Sequence, residues 1–518
     1  MTAPPPATQD KTPPADEEGT ALAEAARNTV ATIVERGIEG GAETGDVTDD
    51  EAAQTPFSDD QTLTPDFVNQ VLEAMESTDE ATARALYESL HPADRADFFG
   101  IISDDQRSQL IDLLGGEVDA GTLAELEDDI RADVVDELTP EVIAEAVTEL
   151  DTDDAAYVLG EVDAEKRAQI LAEVPVGDRI ALRTALEYAE ETAGRLMQRD
   201  VFASPAYWTV GQIIDRLRAE EDLPDKFYEV FVIDPMFRPL GCVPLARLIK
   251  APREINIKTL MEENVRQVPV TMDQEEVAYI FEQYNLISAP VIDENERLVG
   301  MITVDDVVEI IHAESNEDML ALAGVEGDSG LSDTVLETVR SRISWLGINL
   351  FTAILASLVI WPFSETIAAF VPLAVLMPIV ASMGGNAGTQ TLTVAVRSLA
   401  TKDITATNTA RIVWREAQVG LLNGIVFAVI MGGLAATWHH LTVEPDTLTS
   451  TLLGTVVAIA MVINLLAAGL AGILIPIWLQ RIGQDPAVSS AVFVTTVTDI
   501  LGFFVFLGLA SILLVAVL

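Results

Sequence analysis

Residues 447–480 read TLTSTLLGTVVAIAMVINLLAAGLAGILIPIWLQ, a run without a single charged side chain. Four further apolar stretches surround it, at residues 343–364, 366–396, 417–443 and 486–518. Only the last of them contains a charge, Asp499. Because a helix needs about 20 apolar residues to cross the hydrocarbon core of a bilayer, each stretch is long enough. The sequence therefore predicts an all-α membrane domain with five transmembrane helices over residues 345–518.

The remainder of the chain is strongly acidic. The 518 residues include 83 acidic and 30 basic side chains, for a formal net charge of −53. Only seven of the acids and six of the bases follow Arg340, so nearly all of the net charge lies in the first 340 residues. This division argues against a simple soluble enzyme and against nucleic acid as a partner. The acidic surface is typical of a protein in concentrated salt, and it is compatible with cation sensing by some of its carboxylates.

The positions of lysine and arginine predict the orientation in the membrane. Arg340 and Arg342 precede the first span, and Arg481 lies between spans four and five. Between spans two and three lie four more: Arg397, Lys402, Arg411 and Arg415. The other loops, including the pair His439-His440, contain none, and we expect that pair at the surface of an outer loop. Because positive loops stay inside, we expect a multi-pass protein of the cell membrane with cytoplasmic N-terminal domains and an outside C-terminus.

The acidic half begins with a segment of low complexity and continues as short helices. Residues 1–57 are rich in Pro, Ala, Thr and acids and show no signal peptide, so we expect a disordered acidic tail. From 58 to 197 a twelve-residue repeat is visible, for example at Leu138-Thr139-Pro140 and Leu150-Asp151-Thr152. Repeats of capped short helices predict an α-helical superhelical N-domain.

Two tandem βαββα-like units follow and resemble a pair of CBS domains, at residues 198–258 and 259–320. The second matches best, with SAPVID at 288–293 and LVGMITVDD at 298–306. In that family the Thr-x-x-Asp ending often contacts a nucleotide ribose. The resemblance implies Thr303 and Asp306 as nucleotide-binding residues with ATP as a possible cofactor, although other CBS pairs bind no nucleotide.

The second apolar stretch contains MPIVASMGGNAGTQ at residues 377–390. Its small and polar residues Gly384, Gly385, Asn386 and Gly388 weaken a helix and let backbones approach closely. One interpretation is tight helix packing. The other is a pore-lining segment of irregular backbone, which a bilayer tolerates only where it faces water or protein.

After the segment at residues 377–390, Asp499 is the second feature of the membrane half that points to a function. A carboxylate in mid-membrane costs roughly 3 kcal/mol on insertion scales, and no basic residue lies inside any span to neutralise it. Thr495 and Thr496 lie one turn before it and extend a polar stripe that we expect to line a pore. A protonated Asp is the alternative to a cation site. Carboxylate ligands without Cys or His favour Mg²⁺, Ca²⁺ or Mn²⁺, and Mg²⁺ keeps most of its waters.

The single Cys242 excludes an intramolecular disulfide.

The whole arrangement resembles the MgtE family of magnesium channels. The resemblance implies a homodimer with a Mg²⁺ pore on the dimer axis, Asp499 as the residue that binds the hydrated ion, no enzymatic activity, and a connecting plug helix over residues 321–344. It also implies that cytosolic Mg²⁺, bound to the acidic N-domain and CBS domains, closes the pore. The sensor ligands carried over by matching the motif are Asp273, Glu275, Asp306, Glu309, Glu314, Glu317 and Asp318.

The chain departs from that family at two places. Asn285 replaces a sensor Asp, and Ala491-Val492 replaces a small residue or Asn followed by Pro upstream of the pore carboxylate. Two alternatives stay open, namely a broader transporter of divalent cations such as Co²⁺ and Mn²⁺, and a Mg²⁺ efflux carrier. A membrane-anchored nucleotide sensor without transport would leave Asp499 unexplained.

Overall fold

The computed structural model describes residues 56–58, 62–77, 79–160, 162–219, 227–325, 335–442 and 446–513. The predicted tail over residues 1–57 therefore lies almost entirely outside the described residues. The chain divides into two compact units, Met1–Glu73 and Ala74–Leu518. Helix α1 (Pro65–Glu76) begins in the first unit, and all further elements belong to the second.

Short helices of nearly constant spacing fill the N-domain. They are α2 (Glu80–Glu88), α3 (Pro92–Ile101), α4 (Asp104–Leu113), α5 (Ala120–Glu125), α6 (Asp128–Glu137), α7 (Pro140–Glu149), α8 (Thr152–Gly160), α9 (Ala164–Glu173), α10 (Val176–Glu187) and α11 (Ala193–Leu196). From α6 to α10 each helix starts twelve residues after the previous one, so the repeat seen in the sequence is confirmed. Most repeats end on a buried apolar residue such as Leu138, Val162 or Val174, and a polar residue such as Thr139 or Asp163 precedes several of the helices.

Two small α/β units follow, and they have the same strand order. The first contains β1 (Ala203–Pro205), α12 (Val210–Ala219), β2 (Glu229–Ile233), β3 (Pro239–Pro244) and α13 (Leu245–Lys250). The second contains β4 (Val268–Pro269), α14 (Gln274–Tyr284), β5 (Ser288–Ile292), β6 (Leu298–Thr303) and α15 (Val304–Ala323). In each sheet the middle strand pairs in parallel with the first and antiparallel with the third. This internal repeat confirms the tandem βαββα prediction.

Long helices make up the membrane half. They are α16 (Val335–Ile360), α18 (Pro372–Ala400), α19 (Thr409–Thr442), α20 (Thr447–Arg481) and α21 (Pro486–Leu513), with the short α17 (Ser364–Ala369) after the first. Among the described residues four spans are both long and apolar enough to cross a membrane, at Thr338–Ala369, Thr409–Thr442, Thr447–Arg481 and Ser490–Leu513. Helix α18 has 29 residues but is not among the four, because its glycines and amides dilute the apolar sequence. The predicted number of five transmembrane helices is therefore not confirmed, since only four described helices are apolar enough.

The predicted connecting helix over residues 321–344 does not form a separate element in its described parts. Helix α15 ends at Ala323, where Gly324 adopts a left-handed conformation with φ 76°. Residues 335–344 are the first turns of α16, which continues into the first span. Residues 326–334, the centre of the predicted element, lie outside the described residues.

Helices α19 and α20 pack backbone against backbone. A Cβ atom on Gly432 would lie 2.7 Å from the carbonyl oxygen of Gly454, and one on Gly454 would lie 2.5 Å from that of Gly432. Only glycine fits such a contact. Among the four apolar spans, Thr447–Arg481 is the most buried by the rest of the protein. In its most apolar 18-residue segment 61% of the residues are buried, against 6% in the first span.

Candidate functional site

Residues 377–390 form regular α-helix within α18, with Pro378 inside it. The interpretation of this segment as irregular backbone is therefore wrong. Gly384 and Gly388 are buried against neighbouring helices: a Cβ on Gly384 would overlap the amide of Asn464 in α20, and one on Gly388 would lie 2.6 Å from Cγ1 of Val494 in α21. Both glycines serve helix packing within the chain, and their assignment as pore-lining residues stays a prediction.

A polar stripe runs along the opposite side of α18. Its members are spaced three, four or seven residues apart and are exposed in the single chain: Ser382, Asn386, Thr389, Gln390 and Thr393. Gly385 lies on the same side, with open space where a side chain would be. The stripe retains Gly385 and Asn386 as candidate pore residues and adds the serine and threonines, which the sequence analysis did not single out.

Asp499 lies in the middle of the last span and is half-buried. Among the described residues no hydrogen bond or ion pair involves its carboxylate. The hydroxyls of the neighbouring threonines are engaged with their own helix: Oγ1 of Thr495 lies 3.0 Å from the carbonyl oxygen of Ala491, and Oγ1 of Thr496 lies 2.6 Å from that of Val492. The carboxylate is therefore an uncompensated polar group in an apolar helix, as the sequence predicted.

A first group of carboxylates lies where the N-domain meets α15, and we call it the N-domain cluster: Glu125, Asp153, Asp154, Asp306 and Glu309. Asp153 in α8 is 9% exposed, and its Oδ1 has no hydrogen-bond partner among the described residues. Burial, and next the charge of Asp306, raises the pKa of Asp153. Partial burial raises the pKa of Asp306 to about 6, and partial burial with the charge of Glu125 raises that of Glu309 to about 7. These groups repel one another when ionised.

A second group lies between the second α/β unit and the membrane half, and we call it the membrane cluster: Asp273, Glu275, Glu314, Asp318 and Asp485. Partial burial, followed by the charge of Asp485, raises the pKa of Asp318 to about 6. Partial burial and then the charge of Glu314 raise the pKa of Glu275. Asp485 Oδ1 accepts a hydrogen bond of 2.8 Å from the backbone N–H of Ala487, so this carboxylate caps the helix that carries Asp499.

The structure thus divides the predicted sensor residues into two places. Asp306 and Glu309 join the N-domain cluster, while Asp273, Glu275, Glu314 and Asp318 join the membrane cluster, with Glu317 exposed beside Asp318. Within the described part of the chain, no three His, Cys, Asp or Glu side chains already stand close enough to hold a metal ion. The sequence did not predict Glu125, Asp153, Asp154 or Asp485 as members of these clusters.

Two other sequence features receive a structural explanation. Thr303 donates from its N–H and its Oγ1 to Oδ2 of Asp306, at 3.2 and 2.8 Å, so both residues expected at a ribose form the capping box of α15. Asn285 ends α14 in a left-handed conformation with φ 51°, which asparagine tolerates well. This local requirement is consistent with the replacement of the expected Asp.

Lys402 connects the membrane half directly to the second α/β unit. It lies in the loop between α18 and α19, and its Nζ is 3.8 Å from Oε1 of Glu276 and 4.2 Å from the centre of the Tyr279 ring, both in α14. An ion pair and a cation–π contact therefore meet on one side chain. Together with the membrane cluster, this contact joins the second α/β unit to the loops of the spans.

The expectation of a surface position for the pair His439-His440 is wrong for His439. This residue lies in α19, is 1% exposed, and its ring is 5.2 Å from that of Phe370. Nδ1 of His439 lies 2.9 Å from Oγ of Ser450, and the same Oγ lies 2.7 Å from the carbonyl oxygen of Asp446. His440 is exposed, as expected.

The fold and the site define a class of protein: a multi-pass membrane protein with a carboxylate in a span and acidic domains ahead of the spans, which is an architecture suited to a cation transporter. Family models agree with this class. The model described as a divalent cation transporter matches residues 377–509, that of the MgtE intracellular N domain matches 90–191, and that of the CBS domain matches 257–313.

Relatives identify the family. The magnesium transporter MgtE of Enterococcus faecalis is 32% identical over 330 residues, which are 64% of this chain and 71% of the relative. That of Thermus thermophilus is 31% identical over 345 residues, 65% of this chain and 74% of the relative. The chain belongs to the MgtE family of magnesium transporters, and its relatives are transport proteins and not enzymes.

Solved structures resemble the N-terminal half of the chain. The soluble part of a magnesium transporter is 26% identical with a TM-score of 0.43, covering 48% of this chain and 98% of that one. The cytosolic domain of the Mg²⁺ channel MgtE in complex with ATP is 28% identical with a TM-score of 0.44, covering 47% of this chain and 99% of that one.

Proposed function

We propose that the protein is a Mg²⁺ channel that admits the ion to the cytoplasm down its electrochemical gradient and is closed by cytosolic Mg²⁺. The observation that carries the proposal is Asp499, a half-buried carboxylate without a partner in an apolar helix. A divalent ion that enters along about 100 mV gains roughly 4.6 kcal/mol, so passive inward flow needs no other energy source. Carboxylate oxygen is the ligand type that Mg²⁺ prefers.

The pore requires two copies of the chain in this proposal. Helix α18 crosses the membrane as a fifth span, since its 29 residues extend for about 43 Å. Its polar stripe and Asp499 would face the same axis from two chains, so that two carboxylates bind one hydrated ion. The first span leaves its apolar surface free for lipid or for the second copy, because only 6% of its most apolar 18-residue segment is buried. The cytosolic domains lie inside and the C-terminus outside, according to the loop charges.

Closure by Mg²⁺ follows from the repulsion inside the two clusters. Four of these carboxyls carry raised pKa values because they are buried or partly buried next to like charges: Asp153, Asp306, Glu309 and Asp318. A divalent cation bound among them stabilises only the compact arrangement, so the equilibrium shifts towards that state as Mg²⁺ rises. The proposed sensor ligands are the members of both clusters together with Glu317.

ATP at the CBS pair is a further part of the proposal. Its support is the Thr303 and Asp306 motif and the relative whose cytosolic domain was solved in complex with ATP. In the present arrangement these two side chains are bonded to each other, so a ribose would compete with the capping box.

Reconstitution of the full chain in liposomes tests the transport proposal. With an inside-negative potential, we expect an internal Mg²⁺ indicator to report uptake that follows the potential and requires no added nucleotide. Empty liposomes are the control. Equal or faster uptake of Co²⁺ or Mn²⁺ at matched concentration would favour the broader transporter. Uptake that ignores the potential, or net export against the gradient, would contradict the channel.

The N-domain cluster predicts an unusual pH dependence of stability. The pKa values of Asp306 and Glu309, about 6 and about 7, lie above the values of roughly 4 that free carboxyls have. The compact state therefore binds more protons than the unfolded state between about pH 4 and 7, so stability falls as pH rises through this range. We expect the melting temperature of the Mg²⁺-free full chain to fall from pH 5 to pH 8.

Added Mg²⁺ should restore that melting temperature at pH 8 and have little effect at pH 5. The variant Glu309→Gln should flatten the profile, whereas Glu254→Gln, at an exposed position outside both clusters, should not. A melting temperature of the parent chain that rises steadily over this interval would contradict the assignment.

A further inference from the structure

An asparagine lies fully buried among the apolar membrane helices. Asn464, in the middle of α20, is 0% exposed. Its Nδ2 donates a hydrogen bond of 2.8 Å to the carbonyl oxygen of Val380 in α18. Its Oδ1 is also buried and has no partner among the described residues. A polar group in this state needs an explanation, because an apolar side chain of similar size would leave no acceptor unpaired.

Three helices meet at this amide. A Cβ atom on Gly384 of α18 would overlap Nδ2 of Asn464, and one on Gly502 of α21 would lie 3.0 Å from the same atom. Both glycines therefore leave the space that the amide occupies. Asn464 is in this way held from two sides by the helices that α20 packs against.

The two glycines stand close to the candidate pore residues. Gly384 precedes Asn386 by two residues, and Gly502 follows Asp499 by three, so each contact is within one helical turn of a polar pore residue. A displacement of either helix along its axis would break the hydrogen bond to Val380 or the fit at a glycine. One side chain thus contacts both helices at the depth where the ion passes.

We propose that Asn464 is a positioning residue for ion permeation. By binding the backbone of α18 and filling the space at Gly502, it fixes the height of the polar stripe relative to Asp499. That height determines how the waters of a hydrated ion meet the two sets of polar groups, and hence which ion passes. The inference rests on the proposed transport of Mg²⁺ and assigns to the amide a role in selectivity as well as in flux.

The test compares Mg²⁺ and Ca²⁺ uptake by liposomes that contain the full-length parent or a variant. Asn464→Leu keeps the branched shape of the side chain and removes both its donor and its acceptor. We expect it to lower Mg²⁺ flux by about ten- to a hundredfold, as small misplacements of reacting groups do, and to lower the ratio of Mg²⁺ to Ca²⁺ flux. The matched control is Asn423→Leu, at an exposed position of α19, which should change neither quantity.

A compensating pair separates positioning from mere packing. Gly384→Ala alone should reduce both the melting temperature and the flux, because its methyl group overlaps the amide of Asn464. Adding Asn464→Ala relieves the overlap and should restore the melting temperature but not the flux ratio. If Asn464→Leu does not fold, the flux ratio of the Gly384→Ala/Asn464→Ala pair still tests the positioning role of Asn464.

Parental values of flux and ion ratio in Asn464→Leu, or in the Gly384→Ala/Asn464→Ala pair, would overturn the inference. Failure of the parent chain itself to take up Mg²⁺ would instead contradict the proposed function.

Discussion

Replacing Asp499 by Asn is expected to lower Mg²⁺ uptake into liposomes by at least about a hundredfold, since a loss of about 3 kcal/mol of ion stabilisation already has that effect on a rate. The substitution preserves the shape of the side chain and removes its charge. No described group would take over that charge, because the carboxylate has no ionic or hydrogen-bonded neighbour. The half-buried position reduces screening by water, so the lost attraction for a divalent ion is large.

Uptake measured with an internal indicator at fixed potential gives the result directly. Glu365→Gln is the matched control, because it removes the same charge from an exposed carboxylate of the membrane half, in α17. Asp499→Glu should retain part of the uptake, since it moves the charge by one methylene. Parental uptake by Asp499→Asn, in protein that folds and inserts normally, would rule out this residue as the ion-binding site of the pore.

The second large effect is expected at the membrane cluster. In the parent chain, raising cytosolic Mg²⁺ through the millimolar range should reduce the current by roughly five- to 150-fold, the usual size of coupling between two sites. The double variant Asp318→Asn/Asp485→Asn should bring that ratio close to one. Both the ligands and the repulsion between these two carboxylates are then absent, so Mg²⁺ no longer favours one arrangement over the other.

Recordings from excised membrane patches, with ionic strength held constant, measure this ratio without contributions from general charge screening. The control is Asp178→Asn/Glu254→Gln, which removes two charges from exposed positions outside both clusters. Retention of the parental ratio by the cluster variant would count against closure by Mg²⁺ at this site, whatever the absolute current.

The elements whose signals are local were predictable from the sequence. Most repeats of the N-domain end on a buried apolar residue, and several have a polar residue before the next helix, so the repeat can be recognised from the sequence alone. The tandem α/β units follow from short buried strands in a repeated order. The carboxylate at position 499 stands out because nothing around it in the sequence is charged.

The features that depend on tertiary packing were not predictable. Asp153 is one of 83 acidic residues, and only its contact with α15 distinguishes it from a solvated carboxylate. The glycines of α18 could have meant either irregular backbone or close packing. The helix stays regular because lipid offers no partners to free backbone groups, and the space at Gly384 is filled by Asn464. His439 was wrongly predicted to lie in a loop. The absence of charge suggested a loop there, but α19 continues through this position to Thr442.

The contact between Gly432 and Gly454 has a consequence for how the membrane half can move. Because two carbonyl groups lie where side chains would otherwise stand, α19 and α20 cannot slide or rotate against each other without collision. This pair therefore acts as a stationary frame. In the proposed closure by Mg²⁺, movement then falls to α16 and to the parts of α18 and α21 that lie beyond the contacts of Asn464, and α21 is the helix whose first turn begins at Asp485 of the membrane cluster.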